Sequence, residues 1–550
     1  MDEQLVLSQA TALVEAHAIT TDADLGPLVE SAAAVDGPAL TRLRHMYEAG
    51  GWVILESAIA DLPTDLRWLF ESGVVTIAQL AALHNATTAT SIADLQDLIR
   101  RGSLGHVPGF DRSLEEAIAR VLPRLRRSVP RLTLGRATTI AEPILRVMRA
   151  HEAVAWAEPA GSLRRGQETV GDIELVVHTS APADVFAAVL AHTDVVRCLH
   201  RSANRLYLLT DGAQVGIRCV GQGSAGAMLL HMTGARGHID ALFARAQRRG
   251  WTLGPDGLDR QDGSLPIGVS EADIYDALDL QWVPAEIRAG SDELRAAETG
   301  TLPTLITLQD IRGDLHMHTN YSDGRDGIEA MVQTCLVLGY EYLAITDHSP
   351  SSAASRNLTV DSVSQQAEEI AAIRERYPQI TILHGCEVDI LPDERLDFSD
   401  RVLERFDIVL ASLHDRAGQP PDQLMRRYLA AMHHPLVNVI THPSNRLVPN
   451  RDGYELDYER LFAAAVETGT VVEIDGAPSH LDLDGTLARR AMLAGAMLAV
   501  DSDSHRADML GRQMTFGIKT ARRGWVEARH VLNTRPLADI RAFIAGKRRH

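Results

Sequence analysis

The sequence predicts a multidomain protein with an all-α N-terminal part, an α+β middle and an α/β C-terminal part built as a barrel of parallel βα units. Three observations predict it. The chain has 550 residues, which at about 100–200 residues per domain means about three to five domains rather than one. Apolar residues fall at i, i+3, i+4 spacing up to about residue 128 and give way to a strand–helix alternation from about residue 313. Seven apolar runs make up that alternation, close to the number needed to close a barrel.

Taken in order, residues 1–128 read as helix after helix, as in LRWLFESGVVTIAQLAALHN, with Gly/Pro breaks such as HVPGFD (106–111) between them. Residues 129–298 are mixed. A helix (AEPILRVMRAHEAV) precedes GSLRR and the strand DIELVVHT. A hairpin, RLYLLT-DGA-QVGIRCV, then turns at Asp211-Gly212, and helices follow around 225–250 and 271–298. Residues 299–312, rich in Thr and Leu, read as a linker. Residues 313–550 carry the runs RGDLHMHT, YLAITDH, TILHGCEVDI, IVLASLH, VNVITHP, VVEIDGA and MLAVDSDSH. Six of the seven have His or Asp as their last or next-to-last residue, the kind of side chain found at the C-terminal mouth of a βα barrel.

Composition narrows the classes. With 45% apolar and 23% charged residues the chain is ordinary globular protein. No apolar run approaches the ~18 residues that span a bilayer, so no membrane partner is expected. The start, MDEQLVLSQA, lacks a basic n-region, and Cys198, Cys219, Cys335 and Cys386 form no CxxC pair. Both features point to the cytoplasm and away from a disulfide framework or a thiolate zinc site. The net charge of −19 speaks against wholesale coating of nucleic acid. Locally, however, Arg120, Arg124, Arg126, Arg127, Arg131 and Arg136 follow one another without an acid, a stripe able to neutralise a phosphate backbone. The only lysines are Lys519 and Lys547.

The residues that carry chemistry stand at the run ends. They are His316 and His318, Asp323 in the following loop, His348, Glu387, His414, His442, and the pair Asp503 and His505. Residues two apart on a strand point to one side, so His316/His318 and Asp503/His505 can each pinch one ion. A lone histidine in such a place is more often a satisfied strand-end residue, at roughly one ligand in ten. Nine at recurrent run ends are not explained that way. Six imidazoles and three carboxylates without thiolate suit Mn²⁺, Zn²⁺ or Fe²⁺ better than Mg²⁺ or Ca²⁺. Nine ligands exceed what one ion with an open position takes, so two or three divalent ions are expected. Asp347, Asp389 and Asp475 are candidates to orient imidazoles or to cap loops.

The motifs DLHMHTNYSDG, ITDHS, HGCEVDI, ASLH, ITHP and DSDSH resemble the successive motifs of the PHP (polymerase and histidinol phosphatase) domain. The resemblance covers about 313–550 and implies a distorted seven-stranded βα barrel with a trinuclear metal site and phosphoesterase activity. Upstream, AGSLRRGQETVGDIELVVHT, LLHMTGARGH and SEADIYDALDLQWVPAEIRA resemble the nucleotidyltransferase palm and thumb-like part of family X DNA polymerases, over about 130–298. The helical N-terminus stands where that family carries helix-hairpin-helix DNA-binding elements. The domain order is that of bacterial family X polymerases with a C-terminal PHP domain.

That resemblance assigns Gly161, Ser162 and Arg165 to the triphosphate of a dNTP, and Asp172 and Glu174 to the first two of three carboxylates that hold Mg²⁺. The third carboxylate position is Gly216. The aromatic pair before Thr-Gly is His231 and Met232, the serine after it is Ala235, and Asp111 stands for the second glycine of a Gly-x-Gly hairpin turn in PGFD (108–111). SGVV (72–75) departs further from that turn. The related lyase reaction needs a Schiff-base lysine, and none precedes Lys519. The expectation is a DNA-repair protein whose PHP domain hydrolyses phosphodiesters at gapped or damaged DNA or 3′ ends, as a 3′→5′ exonuclease or 3′-end processing enzyme. Its palm polymerase activity is expected to be weak or lost. The alternatives are an active gap-filling polymerase with a PHP exonuclease, and a small-molecule phosphatase of histidinol-phosphate type.

Overall fold

The computed structural model describes residues 104–125 and 131–549 except 193, 194, 196, 211, 212, 353, 355 and 415–417, with scattered positions between 69 and 102. The expected Asp211-Gly212 turn, most of the N-terminal helices, half of SGVV, Arg126, Arg127 and the side chain of Arg124 lie outside the described residues. The described residues form two compact units. One takes those up to Arg131 with 140–158 and 171–221; the other takes 132–139, 159–170 and the chain from Gln222 onward.

In the first unit, a 3₁₀ turn at Leu104–His106 and a helix at Arg112–Leu125 bury Leu104, Ile118 and Leu122 with Leu69, Leu83 and Leu95. Asp111 precedes the helix and its Oδ1 accepts the Leu114 N–H at 2.8 Å. The position that a Gly-x-Gly turn would leave open to a phosphate is therefore an acidic N-cap. The strands here and in the adjoining segments are β1 (Leu132–Thr133), β2 (Val154–Pro159), β3 (Thr169–Val170), β4 (Ile173–Thr179), β5 (Arg197–Arg201), β6 (Arg205–Thr210) and β7 (Ala213–Val220). β1 pairs with β3, and the other five form a sheet in the order β2-β4-β7-β6-β5. β4 and β7 run parallel, and β6–β7 is the expected antiparallel hairpin.

The helix expected from Ala141 begins instead at Leu134 and ends at Arg149. The Thr133 hydroxyl accepts the Arg136 N–H at 3.2 Å, and Thr138 and Thr139 bond back to the carbonyls of Leu134 and Gly135 at 2.8 and 2.9 Å. These polar side chains serve the helix instead of interrupting it. Its far end is cut short because Val154 is drawn into β2.

In the second unit, the helical stretch expected over 225–250 divides into Ala225–Thr233 and Arg236–Arg248, followed by a hairpin of β8 (Thr252–Gly254) and β9 (Gly257–Asp259). Helices at Glu271–Ala277 and Glu293–Thr299 complete this part. The break falls at Gly234, where a Cβ would lie 2.6 Å from Ile239 Cδ1. The core here is built around Glu271. Arg288, fully buried, grips both its oxygens at 2.6 and 2.9 Å, and Arg164 does the same at 2.6 and 3.0 Å. Burial raises the Glu271 carboxyl, but the two guanidiniums outweigh it and hold the group down at about 2 instead of 4.5. A depressed folded pKa stabilises above the unfolded value and is lost as pH falls through the folded one. Acid titration from pH 4.5 to 2 should therefore cost this part about 3 kcal/mol. Urea unfolding at stepped pH measures it, and a Glu271→Gln variant should lose that slope while being less stable at neutral pH.

The rest of the unit is a barrel of seven parallel strands in chain order: β10 (Gly313–Asp314), β11 (Tyr342–Ile345), β12 (Thr381–Asp389), β13 (Ile408–Ser412), β14 (Val439–Ile440), β15 (Val471–Asp475) and β16 (Leu498–Asp501). The ends approach closure through a parallel bridge between Met317 and Ser504 and a 2.9 Å bond from His318 N–H to the Ser504 carbonyl. Alternation along each strand sorts the side chains. Tyr342, Ala344, Leu410, Val439 and Ala499 pack with Ile540 and Ile544 of the helix Leu537–Lys547, whereas Leu343, Ile345, Val409 and Ile474 pack with the surrounding helices. Lys547 pins that last helix by donating to the carbonyls of Met432 and Thr468 and the hydroxyl of Thr470, at 2.6, 2.9 and 2.8 Å. The run RGDLHMHT forms a ladder only over its first residues. Beyond Asp314, the N–H groups of His316 and Met317 turn to side chains of Asp314 and Thr346, which aims the two histidines into the mouth.

Candidate metal centre

All nine candidate ligands fall at the C-terminal end of this barrel, and the structure brings them together. Glu387, buried on β12, is the hub. Its carboxylate lies 2.8 Å from His348 Nδ1, 2.8 Å from His442 Nε2, 3.4 Å from His414 Nε2, 3.5 Å from His316 Nε2 and 3.6 Å from His318 Nε2. Asp503 Oδ1 lies 3.0 Å from His318 Nε2 and 3.5 Å from His316 Nε2. At the outer edge, Asp323 Oδ1 lies 3.2 Å from His505 Nε2 and 3.5 Å from His348 Nε2.

The donor atoms sort into three adjoining sets, each within 4.8 Å of its own members: His318, Asp323, His348 and His505; His316, His318 and Asp503; His348, Glu387 and His414. Several face one another without bonding. His348 Nδ1 and Glu387 Oε2, His318 Nδ1 and Asp323 Oδ1 are buried and have no hydrogen-bond partner. Stranded polar atoms of this kind are costly unless something held between them satisfies them. Nitrogen and oxygen donors without sulfur fit a borderline divalent cation.

The electrostatics express the same crowding. Burial would lower the His316 imidazole, yet Glu473, Asp503 and Glu387 hold it well above the usual range. His318 is pushed down to about 3 by burial and by His348 and His505, whose rings each lie 4.3 Å from its own. His505, opposed by burial but beside Asp503 and Asp323, rises to about 9. Glu387 is carried well below the carboxylate range, against its own burial, by His414, His348 and His316. The backbone is strained at two of the nine positions, His442 and Asp503, with φ of +25° and +49°. Such conformations cost about 1–3 kcal/mol each and persist where surrounding structure imposes them. Here Glu473 Oε2 accepts the His442 N–H at 2.8 Å.

Two residues escaped the sequence reading. Glu473, on β15, accepts from His316 Nδ1 at 2.6 Å and so fixes which nitrogen of that ring faces the cluster. Its signal was present: it stands two residues before Asp475 and therefore on the same side of the strand. His480 stands in the loop after β15, within 4.8 Å of Asp475 and Asp503, and no local motif marked it. Among the three candidate orienters, Asp389 lies 3.0 Å from His414 Nδ1. Asp347 instead holds the loop after His318, accepting from Thr319, Ser322 and Gln366. Asp475 accepts from the Ala477 N–H at 2.6 Å.

The palm-like positions divide between the two units. Gly161, with φ of +57°, opens the short helix Gly161–Arg164 that carries Ser162; Arg165 follows and donates to the Thr233 carbonyl at 2.6 Å. His231 rests on the Phe243 ring with centroids 6.0 Å apart. In the first unit Asp172 is exposed just before β4, and Glu174, Gly216 and Tyr207 stand in one row across β4, β7 and β6. A Cβ on Gly216 would lie 2.4 Å from Glu174 Oε1 and 2.6 Å from Oε2. The Glu174 carboxylate thus occupies the space in which a side chain at position 216 would begin. Burial and Glu174 raise the Tyr207 phenol to about 12.

Comparison with known proteins gives two family matches. Residues 314–476 match the PHP domain family, and residues 228–289 match the DNA polymerase beta thumb family. The "DNA polymerase/3'-5' exonuclease PolX" of Bacillus subtilis (strain 168) is 31% identical over 506 residues, covering 91% of this chain and 88% of that protein. A "Probable phosphatase" of Thermoanaerobacter sp. (strain X514) is 29% identical over 248 residues, 43% of this chain and 95% of its own. The solved structure of histidinol phosphate phosphatase from Lactococcus lactis, complexed with zinc, L-histidinol and phosphate, covers 39% of this chain and 93% of its own, at 16% identity and a TM-score of 0.30.

Proposed function

The chain belongs to the family of the DNA polymerase/3'-5' exonuclease PolX, and we propose that within it the barrel mouth is the working site, hydrolysing phosphodiesters at DNA 3′ ends, while the polymerase activity of the palm is weak or lost. The observation that carries this reading is the convergence of five imidazoles on the one buried carboxylate of Glu387. The nine residues hold two or three divalent cations, with Mn²⁺ or Zn²⁺ favoured and Fe²⁺ the further candidate. Bound there, such ions supply hydroxide at neutral pH and neutralise a phosphodiester.

The chain's own residues do the rest. Glu473 and Asp389, each beside the Nδ1 of its histidine, direct the Nε2 of His316 and His414 inward. Asp323 and His505, partly exposed, stand at the entrance where a phosphate arrives. DNA is favoured over a small phosphomonoester because a polymerase-beta-type thumb and the helical N-terminal part precede the barrel. The functional parts are taken as 1–128, 129–298, 299–312 and 313–550, working in the cytoplasm on gapped or damaged DNA. Among the described residues no helix is long and apolar enough to cross a membrane.

The test is release of label from 3′-labelled single-stranded, gapped and abasic DNA, with and without Mn²⁺. Wild type should act and His316→Ala should not. Full cleavage by the variant would remove the barrel mouth as the catalytic centre. Histidinol phosphate turned over in preference to every DNA would establish the small-molecule reading instead.

A further inference from the structure

Beyond the three adjoining donor sets lies a fourth, made by Asp475, His480 and Asp503, whose donor atoms also fall within 4.8 Å of one another. Two of its members belong to none of the other three. Asp475 ends β15 and is fully buried. One of its oxygens accepts the Ala477 N–H at 2.6 Å; the other, Oδ2, is buried with no hydrogen-bond partner. Nδ1 of His480 is likewise buried and unpartnered. Were the two an acid–base dyad, a carboxylate oxygen and a ring nitrogen would be joined at about 2.7–3.2 Å in good alignment. Both atoms lack a partner, and donor atoms of the two side chains lie within 4.8 Å of one another, a pairing that a cation held between them would satisfy.

The loop that presents His480 is firmly held. The His480 N–H bonds to the Ala477 carbonyl at 2.9 Å, and the Ser479 carbonyl accepts from Val448 N–H at 2.8 Å. Arg446 Nε bonds the His480 carbonyl at 2.9 Å, and the same guanidinium reaches the Leu481 carbonyl. The His480 ring lies over that of His442, with centroids 5.4 Å apart and planes at 25°. A donor fixed by its backbone, by a guanidinium and by ring packing is organised before a ligand arrives.

We propose that Asp475, His480 and Asp503 form a further divalent-cation site, with Asp503 bridging it to the cluster described above. The proposal rests on the metal-centre reading of the barrel mouth. Two carboxylates and an imidazole take Mn²⁺, Zn²⁺ or Fe²⁺ and leave coordination positions for water or a phosphate oxygen.

The test counts metal in the full-length protein. Wild type, His480→Gln and Asp475→Asn are dialysed to equilibrium against Mn²⁺ and their manganese per chain is measured, with thermal unfolding as the check on folding. Each substitution is mild: His480 is only half-buried, and the asparagine amide oxygen still accepts the Ala477 N–H. Both variants should hold one manganese fewer than wild type, and wild-type crystals should show an anomalous peak at the manganese edge between the three side chains. Equal metal content in all three proteins overturns the further site while leaving the main centre standing. Loss of all metal from the variants overturns it too, since His480 and Asp475 would then be supports of the cluster. A wild type that takes up no metal sinks both readings.

Discussion

Glu387→Gln should reduce metal-dependent hydrolysis of DNA 3′ ends by about 10³-fold or more, the loss that follows when several kcal/mol of transition-state charge stabilisation is removed. The change keeps the shape of the side chain and removes its charge. What makes the effect large is position: five imidazoles lie within 3.6 Å of this one carboxylate, and no other described residue is so placed. A glutamine amide would aim N–H donors at ring nitrogens that must present lone pairs to a cation, while leaving buried imidazoles without their counter-charge. The variant should also hold less metal than wild type after dialysis against Mn²⁺. Nucleotide release from labelled DNA and metal content per chain are the two measurements. A Glu387→Gln protein with wild-type hydrolysis and a full metal complement would show that the hub is structural only.

The second large effect concerns the palm. Gly216→Asp by itself should not produce template-dependent synthesis, because the new Cβ would lie 2.4 Å from Glu174 Oε1. Paired with Glu174→Asp, which withdraws that carboxylate by one methylene, the same substitution places three acids where the family resemblance expects them. General-base help of this kind is worth about 10²–10⁴-fold. The double variant should therefore extend a primer across gapped DNA with Mn²⁺ at least about tenfold faster than either single variant. A modest gain is expected rather than full recovery, since His231, Met232 and Ala235 still depart from the nucleotide-facing residues of that family. Robust extension by the unmodified protein, abolished by Asp172→Ala, would defeat the view that this palm has lost its chemistry.

Both effects depend on features that were unequally visible. The gathering of the nine candidate residues was legible because a parallel βα barrel places strand ends at one mouth, and all but Asp323 stand where an apolar run stops. That a glycine stands at position 216, where the family resemblance expects a carboxylate, was legible. That the Glu174 carboxylate lies against it was not, because the contact joins neighbouring strands whose register is set by pairing. The role of Glu473 was not legible because its partner, His316, stands 157 positions away in the chain. The helix start at Leu134 rests on threonine hydroxyls that cap the helix and bond back along it, contacts that exist only once the chain has folded.

The order of the apolar runs and the polar residues at their ends determined the seven-stranded barrel and gathered His, Asp and Glu side chains at its mouth, since these are local properties of strand period and residue type. Only the folded chain decided which of these side chains lie together, that five imidazoles converge on the Glu387 carboxylate, and that His480 lies near Asp475 and Asp503. Those depend on distances between residues far apart in sequence, and such distances exist only once β10 and β16 have been brought together and the mouth has closed around the histidines.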